Sequence, residues 1–575
     1  MIKRQLTTVL FFLFLLFPIF APAPNAVPTN SSDENPSLFE KNVNDAQEKN
    51  YNIMKNITNI QSKGFDAESK KIIVISDVHI MAEKLLRKNG KAFQDYLRKD
   101  RKLLQESCAI AKELVEQIIA EEPDLVLVCG DMTKDGELLS HETFVEIFYP
   151  IVKFGAHMLV VPGNHDVDNP AAVYFDGDKT EKAETVSPQK FSEIYHDFGY
   201  GNAINRDKHS LSYISEPIKG LQVIAIDACK YYDNKHTDRG DEKNLCVTEG
   251  FIKPETMKWL KNQAKQAQKN GKQVIAMVHH NVVEHFDYQS ELSAPYLLEN
   301  FKQVQQDFME VGIEVVFTGH FHANDIAKTY NKNGNHLYDV ETGSPVTYPC
   351  PYRIIEYKED SQLLIATKFI EKIDYDLNGE SFQAYAKRII KESIPSVLSS
   401  LVKEFYPEIK QYTTPYSAFI KMPEANKLGQ IVENNLGEIA VDIMMKIYEG
   451  NNDSQHNNIM LNLNKGIENI AGELARTRLL KGTITKSINN MDFVKKLKAA
   501  VNSIYLNMKG LNQQAVLSEN IDKWMLGNRE YIDDLNYPIS LQKPQASNTS
   551  NTDLSFPAWK LNDKWAKKSI AVELK

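Results

Sequence analysis

Cysteine is scarce, with Cys108, Cys129, Cys229, Cys246 and Cys350 scattered along 575 residues. That spread excludes a disulfide scaffold or a zinc ribbon, so any metal must be held by His, Asp, Glu or Asn. Basic charge is also short: 67 Lys and Arg against 76 Asp and Glu leave a net charge of −9. A mildly acidic chain is not built for general nucleic-acid binding, which relies on basic surface to displace counterions. Hydrophobic residues at 42% and charged residues at 25% exclude both a polytopic membrane protein and a largely disordered chain. No repeat of fixed period is present. The length exceeds the roughly 100–200 residues of an ordinary domain, which implies about three domains or one large domain with additions.

The N-terminus has its own logic. Lys3 and Arg4 precede an apolar run from Val9 to Phe17, broken by Pro18 and followed by small residues around Ala21–Ala26. A basic start, a short apolar stretch and a small-residue exit predict a secretory signal peptide over 1–26. The run is well short of the roughly 20 residues of a spanning helix. Because Pro24 spoils the Ala21-Pro22-Ala23 cleavage site, an uncleaved N-terminal anchor is the alternative. No lipobox cysteine follows, so a lipoprotein is not expected. The chain reads as exported: periplasmic, extracellular or on the cell surface.

Residues 27–65, rich in Asn, Ser, Pro and charge, read as a linker. From Lys70 short Val- and Ile-rich runs appear at Ile72–Ile75, Leu125–Cys129, Met158–Val161, Leu221–Ile226, Val274–Val278 and Val315–Thr318. Such runs fit strands buried on both faces. Helical patterns at Ser107–Ala120, Leu138–Lys153, Pro254–Lys269 and Ser293–Met309 lie between them, so 66–372 is an α/β domain on a largely parallel sheet. Runs near Leu337–Glu341, Tyr352–Tyr357 and Gln362–Thr367 lack helices between them and predict a second, more antiparallel sheet. Beyond Asp376, apolar spacings of three and four at Ser381–Phe405, Gly429–Tyr448, Asn464–Leu480 and Met491–Asn507 predict a mainly α-helical region over 376–540, then a tail over 541–575.

Thirteen of the fourteen histidines lie between His79 and His336, so histidine chemistry belongs to the α/β region. In α/β sheets ligands bind beyond the carboxyl ends of strands, and five strand ends carry suitable residues. Ser76-Asp77-Val78-His79, if extended, aims Asp77 and His79 to one side. Gly130-Asp131 turns sharply with its carboxylate outward, although such a pair alone is a common turn. Pro162-Gly163-Asn164-His165-Asp166 packs three polar groups into one strand exit. His279-His280 end a fourth strand, and one of the two is expected to be structural. Gly319-His320-Phe321-His322 aims two imidazoles one way and Phe321 into a core. Counted together, Asp77, Asp131 and Asn164 with His79, His279, His320 and His322 give three carboxylate or carboxamide groups and four imidazoles, too many for one tetrahedral metal; they suit two metals bridged by a carboxylate.

This ordered set resembles the calcineurin-like metallophosphoesterase superfamily over residues 70–370. The resemblance implies a four-layer α/β/β/α sandwich and two divalent or transition metal ions, with Fe, Mn, Zn and Co all admitted. It assigns Asp77, His79 and His322 to one metal, Asn164, His279 and His320 to the other, and Asp131 to both. Asn281-Val282 depart from the prolines that often follow the pair in the family, which makes His279 the least secure ligand. His165 matches the general acid or transition-state stabiliser, with Asp166 expected to orient its ring. The implied chemistry is hydrolysis of a phosphate ester by a metal-bridging hydroxide, with a phosphodiester favoured. A phosphomonoesterase, or a metal-stabilised surface-binding protein acting through its helical half, are the alternatives. Neither His-Glu-x-x-His nor His-x-His-x-Asp-His occurs, so other zinc hydrolases are set aside. His285, Asp287, Tyr352 and Arg353 are candidate substrate contacts, His141 a candidate neighbour of the site, and Asp227 and Cys229 candidate supports.

Overall fold

The computed structural model describes residues 69–542 apart from 99, 237–245, 359, 451–455, 507, 510–529, 532–533 and 535. The expected signal peptide and linker, and almost all of the expected tail, lie outside these residues. Among the described residues no helix is long and apolar enough to cross a membrane.

Two sheets stack face to face. The first orders its strands as Asn536–Ser540, Gln362–Phe369, Pro351–Tyr357, Lys70–Ile75, Leu125–Val128 and His157–Val160. The last three are mutually parallel, while Pro351–Tyr357 runs antiparallel to Lys70–Ile75. The second sheet is parallel across Leu221–Ile226, Gln273–Val278, Val315–Thr318 and His336–Glu341, with antiparallel strands at both edges. Alternate residues of a strand face opposite sides, and this chain uses both. Val223, Ala225, Ile275, Met277, Val315 and Phe317 join the core shared with the first sheet. Ile224, Ile226, Val274, Ala276, Val278 and Val316 instead pack against the Pro254–Lys269 and Phe301–Glu310 helices. The Ser107–Ala120 and Leu138–Phe154 helices cover the first sheet. The result is the expected four-layer α/β/β/α sandwich.

One strand expectation is corrected. The runs from Leu337 to Thr367 do not make a sheet of their own. His336–Glu341 extends the second sheet in parallel, and the next two strands cross to complete the first. Strand patterning records burial but not the partner. In the same way Asn536–Ser540, within the segment read as helical, pairs antiparallel with Gln362–Phe369. The helical region itself runs from Phe382–Glu404 to Asp492–Leu506, with the Ala425–Glu449 helix at its centre and its own apolar core.

A buried charged cluster lies where this region meets the second sheet. His285 Nδ1 is 2.5 Å from Asp325 Oδ2, and its Nε2 is 3.5 Å from Asp339 Oδ2 and 3.9 Å from Glu341 Oε2. Lys446 of the Ala425–Glu449 helix and Asp534 line the same small cavity. Burial opposes the charged imidazole, but Asp339 and Asp325 outweigh it and raise His285 to about 10. Burial lifts Glu341 to about 8 against the pull of His285. Both values lie above the ordinary ones, so the stability these groups contribute is complete at acidic pH and is lost as pH rises through them. A Glu341→Gln protein should therefore melt increasingly above wild type as pH rises from 4.5 to about 8, with a constant gap beyond. Calorimetric melting of both proteins across that range checks it; a gap that narrows would contradict the assignment.

Candidate metal centre

The site forms where buried strands stop. Asp77 N–H, His79 N–H and Ile80 N–H donate to the carbonyls of Gly130, Asp131 and Met132, at 3.0, 3.0 and 2.9 Å. The loops after the first two parallel strands are thereby zipped together. Five of the seven candidate ligands have left-handed backbone, with φ of 55° at Asp77, 45° at His79, 52° at Asp131, 76° at His320 and 64° at His322. That conformation is uncommon outside glycine and collects at functional sites. It corrects the extended geometry expected for Asp77 and His79. Their side chains converge because the chain turns to pair with the neighbouring loop.

Two clusters meet at one carboxylate. Asp77, His79 and His322 form the first, and Asp131, His279 and His320 the second, while His79, Asp131 and His165 form a third group that joins them. His79 Nε2 lies 3.3 Å from His322 Nε2 and 3.7 Å from Asp77 Oδ1, while His322 Nε2 is 3.4 Å from the same oxygen. Asn164 Oδ1 is 3.1 Å from His279 Nε2. Asp131 Oδ2 is 3.3 Å from His279 Nε2 and 3.7 Å from His79 Nε2, which places it between the clusters. His280 turns away, its Nε2 2.8 Å from Thr248 O, so the first histidine of the pair is the one that joins the centre.

This donor set fits cations. Asp77 Oδ1 is buried without a hydrogen-bond partner while two ring nitrogens face it. Lone pairs converging in a dry site are costly unless a proton or a metal lies between them. The far nitrogens are already engaged: His79 Nδ1 with Thr133 O, His279 Nδ1 with Cys129 O, His322 Nδ1 with Thr347 Oγ1 and His320 Nε2 with Pro295 O. Such contacts fix ring orientation and aim the remaining nitrogen inward. The electrostatics agree. Burial holds His79 and His320 well below the ordinary imidazole value, favouring the neutral form that binds metal. Burial works against ionised Asp131, yet His279 and His165 hold its carboxyl well below the usual range.

His165 stands beside this pair, its Nε2 3.9 Å from Asp131 Oδ2 and its ring partly exposed. Its orientation corrects one expectation. Asp135, not Asp166, holds the ring, with Oδ1 2.9 Å from Nδ1. Asp135 is fixed in turn by buried Lys134 at 2.5 Å and by the Tyr96 hydroxyl at 3.0 Å. Asp166 points the other way and accepts from Gly163 N–H, Met132 N–H, Thr133 N–H and the Thr133 hydroxyl. It ties the two ligand loops together. An Asp four residues past a metal-site Asp, on a neighbouring strand's loop, carries no spacing signal that would have revealed it.

Other expectations divide. His141 is buried with Nε2 2.8 Å from Asp166 O, so it braces the loop from behind. Asp227 accepts from Leu211 N–H, Cys229 N–H and the Tyr231 hydroxyl, and the Cys229 thiol contacts Pro162 O. Tyr352 and Arg353 are not substrate contacts. Both are buried, and Arg353 staples Thr367, Glu341 O and Asp534 O inside the fold. His285 is likewise committed to its carboxylates, and the Asp287 N–H donates to Ser503 Oγ of the helical region.

Comparison with known proteins places this geometry. Residues 70–324 match the family model of the calcineurin-like phosphoesterases. Those residues form a calcineurin-like phosphoesterase domain. A 58-residue stretch is 36% identical to a protein named "probable cyclic nucleotide phosphodiesterase" from Ruthia magnifica subsp. Calyptogena magnifica, covering 10% of this chain and 24% of that one. The match thus spans about a quarter of that relative. Among solved structures, a dimetal phosphatase from Danio rerio aligns at TM-score 0.36 and 14% identity, over 52% of this chain and 96% of that one. A purple acid phosphatase from yellow lupin (Lupinus luteus) seeds aligns at 0.33 and 14%, over 53% and 52%.

Gly163 leaves no room beside the shared carboxylate. A Cβ there would lie 2.1 Å from Asp131 Oδ1 and 2.3 Å from Asp131 N. Gly163→Ala must displace the shared carboxylate, so the protein should purify with clearly less than the wild-type metal content while remaining folded. Elemental analysis alongside circular dichroism tests this; undiminished metal would show that Asp131 is dispensable to binding.

Proposed function

We propose that the protein is an exported, metal-dependent phosphodiesterase. The observation that carries this reading is the Asp131 carboxylate, grouped with His79 and His165 on one side and with His279 and His320 on the other. Asp77, His79 and His322 would hold one ion, Asn164, His279 and His320 the other, and Asp131 both. Bound there, a metal pair supplies Lewis acidity toward the phosphoryl oxygens and lowers the pKa of water from about 15.7 toward about 7.

The chain's own residues supply the rest. Asp135 fixes His165 through Nδ1, which leaves Nε2 to donate a proton or hydrogen bond to the departing ester oxygen. Asp166 keeps the Asp131 and Asn164 loops in register, so the reacting groups are held before substrate arrives. The short match to a protein named a cyclic nucleotide phosphodiesterase supports a diester over a monoester. Lys3, Arg4 and the apolar run to Phe17 support export. On this reading residues 66–372 are the catalytic unit and 376–540 an accessory region.

Full-length protein supplied with Mn²⁺ should hydrolyse bis-p-nitrophenyl phosphate faster than p-nitrophenyl phosphate, and chelator should abolish both. Turnover of the monoester alone would replace the diesterase by a phosphatase. His165→Ala should lower kcat by about 10²–10⁴ with metal content unchanged. A rate unaffected by that change would remove His165 from the chemistry.

A further inference from the structure

The segment between the Lys91–Leu97 and Ser107–Ala120 helices carries two consecutive cations, Arg101 and Lys102. It is pinned by Leu103 N–H, which donates to Val346 O at 2.7 Å, and by the burial of Leu103 and Leu104. Lys102 lies with Nζ 3.4 Å from Asp100 Oδ2, and its charge is felt at His79, His165 and Asp135. It is already balanced by carboxylates.

Arg101 is not. Among the described residues no carboxylate lies within ion-pair distance of it, and its Nε is buried without a hydrogen-bond partner. Its guanidinium carbon is 5.9 Å from the centre of the Tyr448 ring, and the Tyr296 hydroxyl accepts from the guanidinium, so the unpaired donor is Nε alone. Tyr296 in turn packs on His320, with ring centres 4.8 Å apart, and the Arg101 charge reaches the His322 ring. Arg101 therefore lies against Tyr448 at the end of the Ala425–Glu449 helix, which meets the chain at Asn324, two residues beyond the Gly-His-x-His turn. That helix end is firmly seated. The Tyr448 carbonyl accepts from Asn324 Nδ2 at 2.9 Å, Asn324 N–H donates to Ile447 O at 3.3 Å, and Tyr448 is wholly buried. Gly450, with φ of 64°, packs so closely that a Cβ would come within 2.3 Å of Asn324 O.

A guanidinium nitrogen kept dry and unpaired is costly. The planar fork suits a phosphoryl group in a way no neutral side chain does. We propose that Arg101 is a specificity-determining residue that grips a phosphoryl oxygen of the substrate, with Tyr448 forming the wall behind it. The helical region then completes the substrate site rather than merely flanking it. This deepens the phosphoesterase reading and rests on it.

The test uses full-length, Mn²⁺-supplied protein and two variants, Arg101→Gln and Tyr448→Leu, with inorganic phosphate as the probe. Phosphate should raise the melting temperature of wild type, Arg101→Gln should lose most of that rise, and Tyr448→Leu should lose part of it. With bis-p-nitrophenyl phosphate, Arg101→Gln should raise KM about 10- to 100-fold, the loss expected for a charge-assisted hydrogen bond, with kcat within a few-fold and metal content unchanged. An equal phosphate response and an unchanged KM in Arg101→Gln would overturn the proposal while leaving the hydrolase intact. Loss of metal in that variant would also overturn it, by making Arg101 structural. If wild type hydrolyses neither ester but the phosphate response still depends on Arg101, the anion site stands and the hydrolase reading falls.

Discussion

Everything around the centre of this molecule answers to one demand: oxygen and nitrogen lone pairs must converge on Asp131 and Asp77 in a place without water. Left alone, such convergence would scatter the side chains or protonate them. The fold prevents scattering by building the site from backbone that is itself tied down. The loops at Asp77–Ile80 and Gly130–Met132 pair through main-chain hydrogen bonds, and Asp166 gathers four donors from the Asp131 and Asn164 loops. Left-handed backbone at five ligand positions is the local cost, about 1 kcal/mol or more at each.

The two-sheet sandwich follows from the same demand. Strands buried on both faces leave no freedom to slide, because a one-residue slip would exchange the residues facing the second sheet with those facing the helices. The ends of the parallel strands, and the candidate ligands that follow them, are therefore held in one register. His165 gains its orientation in the same manner, through a chain of buried partners from Lys134 and Tyr96 to Asp135. The helical region enters this scheme from outside. It reaches the centre through Asn324, two residues beyond His322, and through the charged cluster around His285.

The candidate ligands were more legible than the residues that position them. Asp77, His79, Asp131, Asn164, His165, His279, His320 and His322 each follow an apolar run, and a strand end is visible in a linear pattern. Asp135 was invisible for the opposite reason. It acts across a turn, by direction rather than by spacing, and adjacent Asp166 was the nearer guess. Arg353 shows the reverse error: an arginine beside a tyrosine looks like a phosphate fork, yet its strand places it in the interior, where it satisfies backbone carbonyls.

Hydrophobic periodicity alone set the α/β character of the domain, the helical nature of the region beyond it and the order of the metal-site motifs. These are local properties, because strand and helix periods and turn chemistry are written within a few residues. Tertiary structure decided which strands share a sheet, and it sent Pro351–Tyr357 and Gln362–Phe369 to the first rather than to a sheet of their own. It also decided which histidine of the 279–280 pair turns inward, which carboxylate steers His165, and that Tyr448 meets Arg101 across nearly 350 positions of chain. Those choices depend on contacts between distant segments, whose free energy appears only once both partners are in place.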